Sequence, residues 1–298
     1  MSVRDTIRSM VPTALLEWNR TRKKKLQRKL LEQKRAAGAV WTKGKLLASL
    51  KEAGVDPNKD LLVHSAMSKI GYVEGGPATV VEALRDALHS SSTLLMPTSP
   101  VVTLQAKHEL ALFDVASTPS KMGAITEYFR ANVASHRSAH PLEPVAAFGP
   151  RAEEYTSLHH TDSTSYGTNS PWRKHMENDG QILYIGTTLI NSGTSLHAVE
   201  DVIGHENFKF PIYLDHRKTF NVLLQGRTLS ITSTVHNPVW SNKRECDGLI
   251  PLLETKGALK HVTVGEAPAL LVDAAKMKSI LLEEYALRGV TMYTPQGS

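Results

Sequence analysis

The stretch QILYIGTTLINSGTSLHAVED, residues 181–201, decides the fold. Its first six residues hold a short apolar run, Ile182 to Ile185, the pattern of a strand buried on both faces of a sheet. A polar loop follows, and it leads into a short apolar helix that carries His197. A strand feeding a loop and then a helix is the building unit of an α/β sheet. In open sheets of this kind, ligands bind beyond the carboxyl ends of the strands.

The same unit recurs. LLVHS at 61–65, TLLMPT at 93–98 and PVAAFG at 144–149 read as further buried strands. LLVHS is followed by a second polar, Gly-rich loop, AMSKIGYVEGGPAT. Apolar spacing and end signals predict helices over 43–53, 77–88, 121–131, 151–159, 171–178, 248–257 and 273–287. Gly54 is a natural stop for the first, Pro77 opens the second, and Asp273 is the expected N-cap of the last. Two β-rich runs flank Gln225-Gly226 in FNVLLQGRTLSITSTV, 220–235, which predicts an antiparallel hairpin. The expected class is therefore α/β: a mixed, largely parallel central sheet flanked by helices, with an antiparallel hairpin region.

A chain of 298 residues, 41% of them hydrophobic, can bury a large core. The net charge of +6 is not spread over it. Residues 1–35 hold eleven Lys or Arg and three acids, about +8, so the rest of the chain is near −2. Two regions follow: a basic helical arm over 1–40 and an α/β domain over 41–298. The arm, with Leu15, Leu16 and Trp18 just ahead of RTRKKKLQRKLLEQKR, reads as a solvated helix or as a contact with an anionic membrane surface through residues 1–37. Nucleic acid is not expected, because no stacking platform or binding motif accompanies the charge. No apolar run approaches the length of a membrane-spanning helix, and no secretory signal is visible. The single cysteine, Cys246, excludes an internal disulfide framework. The expected location is the cytoplasm, with the arm touching the inner membrane surface.

His197 allows three readings. A histidine on a short apolar helix commonly packs and hydrogen-bonds without reacting. As a metal ligand it would be joined by Asp201 and His205, at i+4 and i+8, but Gly204 is a helix stop that turns His205 away. No bound metal is expected. As a general base it needs an acid on its other ring nitrogen. Glu200 and Asp201 are near in sequence, Glu245 and Asp247 lie in KRECDG at 243–248, and spacing does not choose among them. Gly75 and Gly76, just before the helix at Pro77, offer bare backbone N–H groups to a phosphate.

These segments, taken in order, resemble the aminoglycoside 3-N-acetyltransferase family. LLVHSAMSKIGYVEGGPATVVEAL resembles the family's first strand, loop and helix, and TLLMPTS its next strand. STPSKMGAITEYFR, RSAHPLEPVAAFG, YGTNSPW, GTSLHAVE and ECDG resemble its later motifs, and the likeness spans about residues 43–290. It implies acetyl transfer from acetyl-coenzyme A to an amine of an amino sugar, by direct attack with His197 as general base. It implies Glu245 as the acid that orients His197, with Asp247 as second choice. It places coenzyme A along Ser65, Met67, Ser68, Lys69, Ile70, Gly71, Gly75, Gly76 and Pro77, with Ser120 and His140 as further pocket positions. An acyl-enzyme on Cys246 is not expected, because no second histidine is evidently paired with it.

The chain departs from the family in three places. The body carries no marked acidic excess, position 144 is proline where a serine is expected, and the basic arm is additional. The acceptor is accordingly an aminoglycoside-like amino sugar or a precursor of a cell-surface polysaccharide. The alternatives are a related acyltransferase or hydrolase using another acyl group or acceptor on the same site, and a non-catalytic module anchored by its arm. The sequence leaves a homo-oligomer open.

Overall fold

The runs at 61–65 and 181–185 become adjacent parallel strands, in register from Leu61 opposite Gln181 to Ser65 opposite Ile185. The computed structural model describes residues 13–101 and 109–298; the first twelve residues of the expected arm lie outside it. In chain order the strands are β1 (Val40–Trp41), β2 (Leu61–Ser65), β3 (Tyr72–Val73), β4 (Leu94–Pro97), β5 (Leu112–Asp114), β6 (His136–Arg137), β7 (Val145–Phe148), β8 (Gln181–Ile185), β9 (Lys218–Leu224), β10 (Arg227–Ser233), β11 (Leu259–Val264) and β12 (Ala267–Asp273). Seven of them form the main sheet, in the order β11-β12-β8-β2-β4-β7-β6.

The sheet is mixed, and the expectation that it is largely parallel needs correction. Only β8-β2 and β2-β4 pair in parallel, and the remaining neighbours are antiparallel. The reason lies in the connections. β11 and β12 are joined by the tight turn at Gly265-Glu266, which can return the chain only antiparallel. That hairpin covers the β8 edge, so the central parallel strands are flanked on both sides.

Side-chain alternation along the strands builds two cores. Leu61, Val63, Leu94, Met96, Leu183 and Ile185 face the helices Lys43–Glu52, Pro77–Asp86 and Ala124–Asn132. Leu62, Leu95, Ile182 and Tyr184 face the other side, where helices Pro171–Glu177, Thr194–Ile203 and Ala274–Arg288 pack. The result is a sheet between two helical layers. Capping follows the sequence: Asp273 accepts the Lys276 N–H at 2.9 Å, and Ser170 accepts that of Arg173 at 3.1 Å. The helix expected from 121 starts at Ala124, because Gly123 holds a φ of 121°.

The hairpin at 220–235 forms as β9 and β10, with Gln225 and Gly226 both at positive φ (50° and 78°), the requirement of a tight two-residue turn. It pairs with β5 in a separate three-stranded sheet. The basic segment forms the helix Thr13–Ala36, which meets the body through a Lys34–Glu266 ion pair and through Arg35 over the Tyr72 ring. Among the described residues, no helix is long and apolar enough to cross a membrane.

Candidate active site

The carboxyl ends of β2 and β8 open on a cavity of about 330 Å³. Ser65 ends β2 and lines it. After β8 the chain turns at Gly186, where a positive φ of 68° and the approach of the Lys69 side chain leave no room for a Cβ. The short helix Leu189–Ser192 and the start of the Thr194–Ile203 helix supply one wall of the cavity. Lys121, Met122, Glu143, Arg244 and Cys246 complete much of the rest.

His197 lies one turn into its helix and is 3% exposed. Its Nδ1 is 2.7 Å from Glu200 Oε2, one helical turn on, and both side chains are buried. Its Nε2 is 3.0 Å from Arg244 Nη1. Arginine only donates, so Nε2 carries the lone pair and the proton sits on Nδ1, directed at Glu200. The imidazole is thus held as a neutral base with its tautomer fixed from both sides. Tyr166 stacks on it at 5.0 Å between ring centroids, and His236 approaches to 4.3 Å. Burial pushes the Glu200 carboxyl up to about 8, and the Arg244 charge opposes that rise. Glu200 Oε1 is buried with no hydrogen-bond partner among the described residues, a cost of about 1–3 kcal/mol.

His197, Glu200 and His236 place ligand atoms within 4.8 Å of one another, so a metal ion is geometrically conceivable there. Both His197 nitrogens are already engaged, and a cation at Nε2 would first have to displace the Arg244 guanidinium. The other trio does not form. Asp201 accepts the Thr164 hydroxyl at 2.6 Å, and Gly204, at φ 88°, ends the helix before His205.

The acid partner inferred from resemblance is corrected by the geometry. Glu245 is exposed, and the structure does not bring it to His197. Glu200 takes that place, because a residue three positions on shares the face of the helix. Asp247 instead accepts the Ile190 N–H at 2.9 Å and pins the Leu189–Ser192 segment to the cavity rim. Cys246 is buried beside Met292, and burial pushes its thiol up to about 11, far from a reactive thiolate.

Of the expected coenzyme loop, Ser65 lines the cavity, and its hydroxyl is buried without a partner among the described residues. Ile70 is instead a core residue, with Met67 packed partly against that core, while Ser68 and Lys69 are exposed. Gly71, at φ 100°, lies against Trp41 and Glu266. Gly75 and Gly76 both have positive φ, and Gly76 caps the helix that starts at Pro77. The Gly76 N–H is bonded to Val73 O and Pro77 has none, so the bare donors at this corner are fewer than expected. Ser120 shapes the turn that presents Lys121 and Met122 by accepting the Met122 N–H at 3.1 Å. His140 is fully buried and stacked on His159 at 4.7 Å, and it is not among the residues that line the cavity.

Sequence reasoning missed Arg244, His64 and His236. Arg244 immediately precedes the acidic cluster, but nothing local shows that it reaches a helix 47 positions earlier. His64 lines the cavity stacked on Tyr184, and burial pushes it down to about 3, so it stays neutral.

A mixed α/β sheet between two helical layers, with a buried His–Glu pair near the carboxyl ends of its central strands, defines the architecture of the protein. The chain belongs to the aminoglycoside 3-N-acetyltransferase family, whose model matches residues 62–284, about three quarters of its length. Aminoglycoside N(3)-acetyltransferase VIII of Streptomyces fradiae is 32% identical over 189 residues, covering 58% of this chain and 64% of that protein. The chain spans 59–65% of the length of that protein and of the N(3)-acetyltransferases IV and III of Salmonella, and 93% of N(3)-acetyltransferase III of Serratia marcescens, at 28% identity. The crystal structure of aminoglycoside acetyltransferase AAC(3)-IVa in complex with a gentamicin is 27% identical, with a TM-score of 0.68 over 83% of this chain and 89% of that one. AAC-IIIb, in a binary complex with CoASH, shares the fold at 23% identity and a TM-score of 0.67, over 83% of this chain and 97% of that one.

Proposed function

We propose that the protein is an acetyl-CoA-dependent N-acetyltransferase that acetylates an amine of an amino sugar. One observation carries this reading: a buried imidazole held by Glu200 on Nδ1, with its lone pair at Nε2 beside the cavity at the strand ends. Family membership and the coenzyme-bound and aminoglycoside-bound neighbours support the donor and the acceptor class.

A protonated amine, with a pKa near 10, cannot attack a thioester. His197 Nε2 takes the proton, and the neutral nitrogen adds to the acetyl carbonyl. As the tetrahedral intermediate collapses to the amide, the coenzyme leaves as a thiol carrying the proton from the imidazolium, and the second proton of the nitrogen passes to the freed Nε2 and on to solvent. Glu200 keeps the imidazole oriented and balances the charge it acquires. The hydroxyls of Ser65 and Thr194, both on the cavity wall, are the candidates to stabilise the oxyanion. Direct transfer is favoured over an acyl-cysteine, since Cys246 has a raised pKa and sits against Met292.

The basic helix adds a second proposal: peripheral contact of a cytoplasmic enzyme with an anionic surface. Trp18, Leu26 and Leu30 are more than half exposed on a helix crowded with Lys and Arg. An acceptor that is a precursor of a surface polysaccharide fits such a location.

The test is thiol release from acetyl-CoA with a panel of amino sugars. His197→Ala is expected to lower turnover by about two to four orders of magnitude while coenzyme A affinity stays near wild type. Equal rates for the two proteins would end this mechanism.

A further inference from the structure

Arg244 sits where the acceptor's nitrogen has to go. His197 is not in the cavity wall, but Arg244 is, and its Nη1 occupies the lone pair of Nε2 at 3.0 Å. The base therefore meets the cavity through a guanidinium. An amine must come within about 2.6–3.2 Å of the same nitrogen to lose its proton there, so it must displace that group. The guanidinium is tethered through Nε to the Ser241 carbonyl at 2.7 Å, which leaves its tip free to swing but not to depart. Its hydrogen bonds go to neutral acceptors, and among the described residues no carboxylate is bonded to it.

The surroundings do not welcome further positive charge. Besides Arg244, the cavity wall carries, among the described residues, Lys121 against a single acid, Glu143. Another cavity, of about 510 Å³, is lined by Tyr213, which stacks on His236 beside His197, and among the described residues its wall carries Lys209 and Arg217 as well as Glu206 and Asp215. Neither shows the acidic excess that concentrates a polycation. Coenzyme A does not account for Arg244 either, since its phosphates lie at the far end of the uncharged pantetheine arm from the thioester.

We infer that the acceptor is an amine bearing a phosphate or carboxylate a few bonds from its nitrogen, and that Arg244 selects it. The inference rests on the acetyl-transfer reading above. The anion takes the guanidinium tip in a charge-assisted, two-pronged contact, which draws it off Nε2 and opens the base to the adjacent amine. Arg244 is then both a specificity residue and a cap that keeps His197 closed until an acceptor of that chemistry arrives.

The experiment compares kcat/KM for glucosamine 1-phosphate, 2-amino-2-deoxyglucuronate, methyl α-glucosaminide and gentamicin, with acetyl-CoA as donor, in wild type, Arg244→Gln and Arg244→Lys. Wild type is expected to favour one or both anionic acceptors over the methyl glycoside on the order of ten- to a hundred-fold. The pair of anionic probes tells phosphate from carboxylate. Arg244→Gln is expected to erase the preference, and Arg244→Lys to restore part of it. Preference for gentamicin or for the methyl glycoside in wild type overturns the inference while leaving acetyl transfer intact. So does an undiminished anionic preference in Arg244→Gln. Failure of every amine to release thiol overturns the acetyltransferase reading, and this inference with it.

Discussion

At the scale of single residues, the pairing of His197 with Glu200 generates two opposed pH effects. Burial raises the Glu200 carboxyl to about 8, so the group gives up its proton only as pH climbs through that value. Turnover is expected to rise with pH through about 8, as the carboxylate that holds the Nδ1 proton forms. Stability runs the other way. The unfolded carboxyl ionises near its ordinary value of 4.5, while the folded one keeps its proton to about 8. The folded state binds the extra proton in that window, so this group's contribution to stability falls as pH rises from about 4.5 to about 8. Glu200→Gln should flatten both profiles. It should also cut turnover by about ten- to a hundred-fold and leave the melting temperature at pH 8 no lower than wild type. A rate profile of Glu200→Gln that still tracks wild type through pH 8 would rule the carboxyl out as its source. Glu245 is exposed, so Glu245→Gln is expected to keep turnover within about two-fold of wild type. A loss as large as that of Glu200→Gln would return the orienting role to Glu245.

At the scale of elements, the site depends on where β8 lets the chain go. Gly186 turns the chain out of the strand at φ 68°, with the Lys69 side chain packed where a Cβ would be. Gly186→Ala combines backbone strain with a steric clash and is expected to cost about 1–3 kcal/mol, read as a lower midpoint in urea unfolding. An unchanged midpoint would mean that the corner has more room than its geometry implies. This corner was legible as an end of a strand, because glycine after an apolar run is a local signal. The strands β11 and β12 were only partly so. The apolar pattern predicts no strand between the helices 248–257 and 273–287, and on the outer strand β11 exposed Lys260 and His261 break the apolar run. Edge strands are half solvated and carry a weaker pattern than central ones.

At the scale of the whole molecule, charge is segregated: a basic helix on a nearly neutral body, joined to it by the Lys34–Glu266 pair and Arg35 over Tyr72. Removing residues 1–37 is expected to abolish sedimentation with phosphatidylglycerol vesicles and leave turnover on soluble acceptors near wild type. The binding of the full chain should weaken as salt rises. Vesicle binding that survives the deletion would move the contact to the body. The amino-acid order by itself determined the strand–loop–helix alternation, the hairpin at Gln225-Gly226 and the basic arm, and it singled out His197 as the candidate base. Each of these is written in local spacing, in caps or in a run of like charge. It also carried Glu200 at the i+3 position, but spacing alone could not rank it above Asp201, Glu245 or Asp247. Tertiary structure decided the mixed pairing of the sheet, the choice of Glu200 as partner and the arrival of Arg244 on Nε2. Those depend on which surfaces bury one another across tens of residues, and a buried contact leaves no periodic trace in the chain that makes it.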